Sequence, residues 1–331
     1  MVSLKEVAIA CGLSLTQTSR ALNNHKDVSE KTKQRVKETA EQLGYVKNIN
    51  AQILATKESK QLAVMVYGMD KDKNAEQSIT FNLIKGVNRY AKEKGYEAVV
   101  YFIEDENVSY LDFAIQRGIN GIILFGVNYE DKNFKQIIAS DFPCVVIDIP
   151  VDGEKKGSVV VNNLYYSMMA TNCLIERGRK KIAMLCGHGQ SMVDVERRAG
   201  YEMALKNNQR KVEENLIVLA DFDTEKAYEK TRELMEKYPD IDGFFCASDS
   251  MALGAVNALK DKGYQVPEDV SIFGFDGIAL GEYVTPSLST IQQDNLKKGY
   301  AAAKLLYEIL HGEKERENVV VPCDIILRES V

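Results

Sequence analysis

The chain is 331 residues long, 45% hydrophobic and 27% charged, which is ordinary globular composition and enough for about two domains. Its formal net charge of −6, taken alone, argues against a nucleic-acid partner. The charge is unevenly spread, however: residues 1–60 carry ten Lys/Arg against six Asp/Glu, and the rest carries 32 against 42, so a small basic head precedes an acidic body. No run approaches the ~18 apolar residues of a membrane span. Met1–Ala10 includes Lys5 and Glu6 and lacks the apolar core of a secretory signal, so a cytoplasmic protein without membrane association is expected. Six scattered cysteines without a Cys-x-x-Cys pair, and three isolated histidines, give no reason to expect a disulfide framework, a metal or another cofactor.

Ser3 with Glu6 three residues on is a capping box that opens a helix through Ala10. Cys11-Gly12-Leu13 predicts a tight turn with Gly12 at positive φ, and Ser14 then caps a second helix over Leu15–Leu22. Ala8 leaves room for the two helices to cross, as a helix-turn-helix requires. Thr16 and Arg20 lie one turn apart on the second helix. An arginine fork matches guanine O6 and N7, and a threonine meets a thymine methyl or a base edge. Gln17, Ser19 and Asn23 flank that face as expected phosphate contacts, and with Leu15 they complete the expected DNA-facing set. A third helix over Glu30–Leu43 ends at Gly44, with Lys31, Lys33, Arg35 and Lys37 adding positive charge. A solvated surface bundle is the other reading of such a segment. The basic head, its N-terminal position and the different composition downstream favour DNA.

From Leu62 short β-branched runs alternate with amphipathic stretches. Strands are expected at Leu62–Tyr67, Ala98–Ile103, Gly121–Phe125, Pro143–Ile147, Val159–Val161, Lys181–Cys186, Leu216–Leu219, Gly243–Ala247 and Val270–Phe275. Helices are expected at Phe81–Lys94, Ser109–Arg117, Asp131–Ser140, Leu164–Arg177, Val193–Asn207, Thr224–Lys237, Asp249–Lys262 and Asn295–His311. Continuous apolar strands alternating with helices predict parallel sheets covered on both faces, and the hydrophilic break at Pro150–Ser158 favours two lobes. The fold class is therefore a small all-α head plus an α/β body of two doubly wound parallel-sheet lobes. Ligands of such sheets bind beyond the carboxyl ends of the strands, which places a cleft between the lobes.

The motifs Leu4-Lys-Glu-Val-Ala8, Gly12-Leu-Ser14, Ser19-Arg20-Ala-Leu-Asn23, Val28-Ser29-Glu30-Lys-Thr32 and Leu43-Gly44-Tyr45 together resemble the head of the lactose/galactose repressor (LacI/GalR) family. The resemblance continues through Asn120-Gly121-Ile-Ile-Leu124, Arg197-Arg-Ala-Gly200-Tyr201, Met251-Ala-Leu-Gly254, Val266-Pro-Glu-Asp-Val270 and Gly274-Phe-Asp276. It implies a body like periplasmic sugar-binding proteins and a homodimer on a near-palindromic double-stranded operator. It divides the chain into a head at 1–47, a hinge helix and linker at 48–60 and a body at 61–331. Within the body, the N-lobe spans about 61–158 plus 292–331 and the C-lobe about 159–291.

In the hinge, Asn48, Ala51 and Leu54 match the family pattern, and the resemblance implies that Leu54 wedges between base pairs in the minor groove. Lys47 stands where relatives usually have proline, which enlarges the free hinge's ensemble. Thr18 replaces an apolar residue on the inner face of the second helix, as a packing defect or a polar adjustment.

For the effector, the resemblance implies Arg197, Asp276, Asp249, Ser248 (where relatives have asparagine), Phe222 and Asp148. A guanidinium fork, carboxylates and an aromatic face suit a sugar, through bidentate bonds to hydroxyls and stacking on the C–H face. The plainer alternatives are that Asp249 caps a helix, Arg197 makes a structural ion pair and Phe222 belongs to the core. Ile149, Asn162 and the loop Gln77-Ser78-Ile79-Thr80 depart from the sugar-repressor pattern. A sugar or glycoside effector is expected, with a purine corepressor, another metabolite or a protein corepressor as alternatives. An enzyme is not expected, because no nucleophile elbow, metalloprotease motif or phosphate loop is present. A transport-type binding protein is the remaining competitor, opposed by the added head.

Overall fold

A computed structural model describes residues 2–45, 60–67, 74–103, 108–189 and 191–331. The chain forms two compact units, Met1–Ser59 and Lys60–Val331. The expected hinge residues Asn48, Ala51 and Leu54, and Lys47, lie outside the described residues.

The first unit holds three helices, α1 (Leu4–Cys11), α2 (Leu15–Leu22) and α3 (Glu30–Leu43). The capping box at Ser3 forms in both directions: its hydroxyl accepts from the Glu6 amide at 3.4 Å, and Glu6 accepts from the Ser3 amide at 2.7 Å. Helix α1 runs one residue beyond the expected end because Gly12, at φ +60, returns its N–H to the Ala8 and Ile9 carbonyls. Val7, Cys11, Ala21, Val36 and Ala40 form the core between the helices. Thr18 is fully buried there, and its hydroxyl donates to the Ser14 carbonyl at 3.0 Å, so the substitution for an apolar residue is a satisfied polar adjustment.

The second unit contains β1 (Gln61–Tyr67), α4 (Asn74–Glu93), β2 (Glu97–Ile103), α5 (Tyr110–Gln116), β3 (Ile122–Phe125), α6 (Lys132–Ala139), β4 (Cys144–Ile147) and β5 (Lys156–Val160). It continues with α7 (Asn163–Glu176), β6 (Ile182–Cys186), α8 (Met192–Asn207), β7 (Ile217–Leu219), α9 (Thr224–Lys237), β8 (Gly243–Cys246), α10 (Asp249–Asp261) and β9 (Ser271–Asp276). The last elements are α11 (Leu280–Tyr283), β10 (Ser289–Gln293), α12 (Asn295–Leu310), β11 (Arg316–Val320) and β12 (Cys323–Ile326). They build two six-stranded sheets, ordered β11-β5-β4-β3-β1-β2 and β12-β10-β9-β8-β6-β7. Every neighbour pair is parallel except β10 with β12. Helices cover both faces, which is why the central strands are apolar throughout: β6 and β9 are buried at every residue.

Several expectations need correction. The lobe boundary at 158 would cut β5, which lies wholly in the first sheet, and the segment after 292 does not stay in the first lobe. After α12 and β11 the chain crosses again, and β12 pairs with β10 in the second sheet. The strands β10, β11 and β12 were also absent from the expected set. β11 and β12 are edge strands with exposed residues, and β10 ends in two glutamines, so none shows the continuous apolar run of a central strand. The expected loop at Gln77–Thr80 belongs to α4 instead.

Helices α4 and α12 meet backbone to backbone. A Cβ at Gly86 would sit 2.0 Å from the Leu296 carbonyl oxygen, and one at Gly299 would sit 1.9 Å from that of Leu83. This contact fixes the first turn of α12 against the first lobe, where it faces the strand ends.

Candidate functional site

The exposed face of α2 carries Leu15, Thr16, Gln17 and Arg20, while Ser19 and Asn23 are half-buried at its edge. Capping of the helix engages Gln17, whose amide oxygen accepts from the Ser14 amide and hydroxyl at 3.3 and 3.2 Å. Its amide nitrogen is the part suited to an acceptor such as phosphate. Asn23 donates to the Ser19 hydroxyl at 3.4 Å. The Arg20 guanidinium extends to Asp27 at 2.8 Å with both side chains about half exposed, an arrangement that orients the fork without burying it. Lys33 departs from the expected basic set: it is buried and bonded to Glu30 at 2.6 Å, which neutralises its charge.

In the body, a cavity of about 260 Å³ opens where the carboxyl ends of strands from both sheets meet. Tyr67, Phe125, Ile147 and Asp148 come from the first sheet, and His188, Phe222, Ser248, Asp276 and Gln293 from the second. Ile79 and Thr80 of α4, Met192 and Arg197 of α8 and Lys298 of α12 close it.

Arg197 is only 4% exposed and is fixed on three sides. Its Nε donates to the Asn163 side chain at 3.0 Å, and its Nη1 donates to the Ala247 carbonyl at 2.5 Å and to Asp276 at 3.4 Å. The guanidinium carbon lies 3.7 Å from the Phe275 ring centroid, a cation–π contact that holds the fork flat. Asp276 also accepts from Gln293 at 2.8 Å. Burial pushes its carboxyl pKa above the usual range, while the nearby Arg197 guanidinium pulls it down. Lys298, fully buried on the first turn of α12, donates to Asp148 at 2.6 Å and to Gln293 at 3.0 Å.

Three of these residues sit at positive φ, a backbone region costly for residues other than glycine: Asp148 at 66°, Phe222 at 55° and Asp276 at 114°. Such strain collects at ligand sites, because the surroundings must hold a side chain where relaxed backbone would not. Phe222 reaches over Gly187, where a Cβ would lie 2.0 Å from its ring, and His188 packs edge-on to it at 5.4 Å between centroids.

Arg197, Asp276, Phe222, Ser248 and Asp148 thus border one cavity. Asp249 does not. It is completely buried behind the strand ends, where one carboxylate oxygen accepts from the Gly277 and Ile278 amides at 2.7 and 2.8 Å and the other from the Thr290 hydroxyl at 2.6 Å. Its role is to brace the loop after β9. It is not the cap of α10 either, because Ser248 accepts from the Met251 amide at 3.2 Å in that position.

Sequence reasoning missed Lys298, Gln293 and Asn163. A signal existed for Lys298. At helical spacing it shares a stripe with Ala302, Leu305 and Leu306, all buried, and a lysine on such a stripe needs a buried partner.

Comparison with known proteins matches residues 3–48 to the model for bacterial regulatory proteins of the lacI family, and residues 171–331 to the periplasmic binding protein-like domain. The chain is 31% identical to the probable HTH-type transcriptional repressor ExuR of Bacillus subtilis, over all of this chain and 98% of that one. It is 28% identical to the HTH-type transcriptional repressor PurR of Vibrio atlanticus, over 96% and 95% of the two chains. A solved complex of the transcriptional regulator CelR with cellobiose superposes with a TM-score of 0.75 at 27% identity, covering both chains completely. The chain belongs to the lacI family of bacterial transcriptional regulators, with a helix-turn-helix DNA-binding head joined to a periplasmic-binding-protein-like body.

Proposed function

We propose that the protein represses a carbohydrate-utilisation operon, binding a near-palindromic operator as a homodimer and changing its operator affinity when a sugar or glycoside enters the body cavity. In this reading Thr16 and Arg20 read base edges, Gln17, Ser19 and Asn23 hold phosphates, and Leu54 of the hinge wedges the minor groove. Arg197, Asp276, Asp148, Ser248 and Phe222 hold the effector. The protein works by binding, not catalysis, and works in the cytoplasm.

The observation that carries the effector class is the cavity wall: cation–carboxylate pairs beside aromatic and aliphatic side chains. Hydroxyl groups pair with both members of such a pair, and the C–H face of a pyranose rests on a ring such as Phe222. The cellobiose complex of CelR shows a relative binding a disaccharide. Because the same state that favours effector sets the placement of the heads, effector and operator change each other's affinity by one factor.

The test is selection of duplexes from a random pool, followed by gel shift on the selected site with cellobiose, maltose, galactose or hypoxanthine added. The expected result is a two-fold-symmetric site whose affinity changes at least about fivefold with one of the sugars. Binding indifferent to sequence overturns the operator half of the proposal. A response to hypoxanthine alone overturns the carbohydrate half.

A further inference from the structure

We infer that Lys298 is a specificity-determining residue of the cavity and that, with Asp148, it restricts the effector to an uncharged polyol, excluding sugar acids and sugar phosphates. This rests on the reading of the cavity as a carbohydrate effector site.

Lys298 is the fully buried cation of the cavity wall. An ammonium has three donors, and two of them are taken by Asp148 and Gln293. The third donor, and the second carboxylate oxygen of Asp148, have no protein partner among the described residues, and both residues border the cavity. Gln293 carries the chain onward, since its amide nitrogen donates to Asp276, the carboxylate that also faces Arg197. Carboxylate, ammonium, amide, carboxylate and guanidinium therefore follow one another along the wall. Their charges alternate and cancel.

A buried charge is tolerated when it is paired, and both cations here already are. An incoming carboxylate or phosphate that accepted the spare N–H of Lys298 would set a second negative charge beside the Asp148 carboxylate that Lys298 already balances, leaving one buried negative charge unmatched. A hydroxyl adds no such charge: it accepts the spare N–H of Lys298 and donates its own proton to Asp148. A diol spans one pair, and a polyol spans both. The other basic group on the wall, His188, does not change this balance. Its side chain is 57% exposed and lies 3.5 Å from Asp221, which Lys226 also holds at 2.7 Å.

The experiment is thermal shift on the full chain, titrated with glucose, glucose 6-phosphate and glucuronate, galactose and galacturonate, and cellobiose and cellobionate. A neutral member is expected to raise the Tm, with its anionic counterpart at least about tenfold weaker. Asp148→Asn gives the wall a net positive charge and should narrow or invert that preference. An anionic sugar binding the wild-type protein as tightly as its neutral partner overturns the inference while leaving the carbohydrate reading intact. Asp148→Asn retaining the full preference, with a wild-type-like melt, also overturns it. No rise in Tm with any compound overturns both readings. If Asp148→Asn does not fold, the wild-type series alone decides.

Discussion

The head and the body present their recognition groups in opposite ways. In the head, Thr16, Gln17 and Arg20 are exposed, and Arg20 finds its partner, Asp27, within the same short stretch of chain. In the body, Arg197, Ser248, Asp276 and Lys298 are all buried, and the charged partners are distant in sequence: 150 residues separate Lys298 from Asp148 and 79 separate Arg197 from Asp276. The difference follows from what is recognised. A duplex is large and wet, so many exposed contacts add up and each can keep its water until docking. A small ligand offers few atoms, so each contact must be preorganised and dry to count. Substitutions in the head should therefore change recognition and spare the fold, whereas substitutions around the cavity should change both.

The largest effect is expected at Asp249. Asp249→Ala leaves the Gly277 and Ile278 amides and the Thr290 hydroxyl without an acceptor, and should lower stability by about 3–5 kcal/mol in urea unfolding. Asp249→Asn keeps an acceptor for the amides and should cost far less. The pair also has a pH signature. Burial raises the Asp249 carboxyl pKa to about 8, so the folded state holds this proton more tightly than the unfolded chain does. Stability from this group is then complete below the unfolded carboxylate pKa of about 4 and falls as pH rises toward 8. Asp249→Asn should remove that decline. A stability difference between the two proteins that stays flat from pH 5 to 8.5 would break the assignment.

Gly187→Ala comes next. Its Cβ would meet the Phe222 ring at 2.0 Å, and the backbone around Phe222 is already strained at φ 55°. Displacing the ring should weaken sugar binding by about tenfold or more in calorimetry, with the melt lowered by less than in Asp249→Ala. An unchanged affinity would take Phe222 out of the effector wall.

The two regions were also unequally legible in the sequence. The three head helices follow from caps and turns only a few residues apart, Ser3 with Glu6, Gly12, Ser14 and Gly44, and each of these forms as spacing alone dictates. In the body, Asp148, Ser248 and Asp276 follow apolar runs that mark their own termini, but their place in an effector site, like that of Phe222 and Arg197, comes from the family resemblance. Gln293 escaped because β10 is short and ends in polar residues, so its terminus was never marked. Lys298 escaped because it sits within a helix, a place the strand-end rule does not search. Asp249 shows the converse limit. Its position in the chain is that of a strand-end loop, but the direction of its side chain is set by the loop after β9, which no local pattern encodes.

Arg20→Ala tests the exposed side of the comparison. Bidentate arginine–guanine contacts are worth about 1–3 kcal/mol of discrimination, so competition gel shift should show operator preference collapsing by roughly that amount. Salt-sensitive nonspecific binding and the melt should stay close to wild type, because the partner lost among the described residues is Asp27, at a half-exposed surface pair. A large loss of head stability would mean that Arg20 supports the fold instead.

The smallest effect is expected at Thr18, whose substitution has a counterpart in the body. Thr18 and Thr290 are each at least 99% buried, and each donates its hydroxyl proton to an oxygen. Thr18 donates to the Ser14 carbonyl, which already accepts the Thr18 backbone amide at 3.0 Å. Removing the hydroxyl therefore orphans nothing, and valine has the same branched shape and nearly the same helix propensity. Thr18→Val should change the stability of the head by less than about 1 kcal/mol, read as amide hydrogen exchange in α2. Thr290 donates instead to a carboxylate oxygen of Asp249 that has no other partner among the described residues. Thr290→Val should cost about 1.5–3 kcal/mol in exchange at β9 and β10, the range for a hydrogen bond to a charged or partly charged group. If the two variants cost the same, burial alone decides the effect. If Thr290→Val costs more, what matters is whether the oxygen left behind keeps another donor, and the body depends on its side-chain hydrogen bonds in a way the head does not.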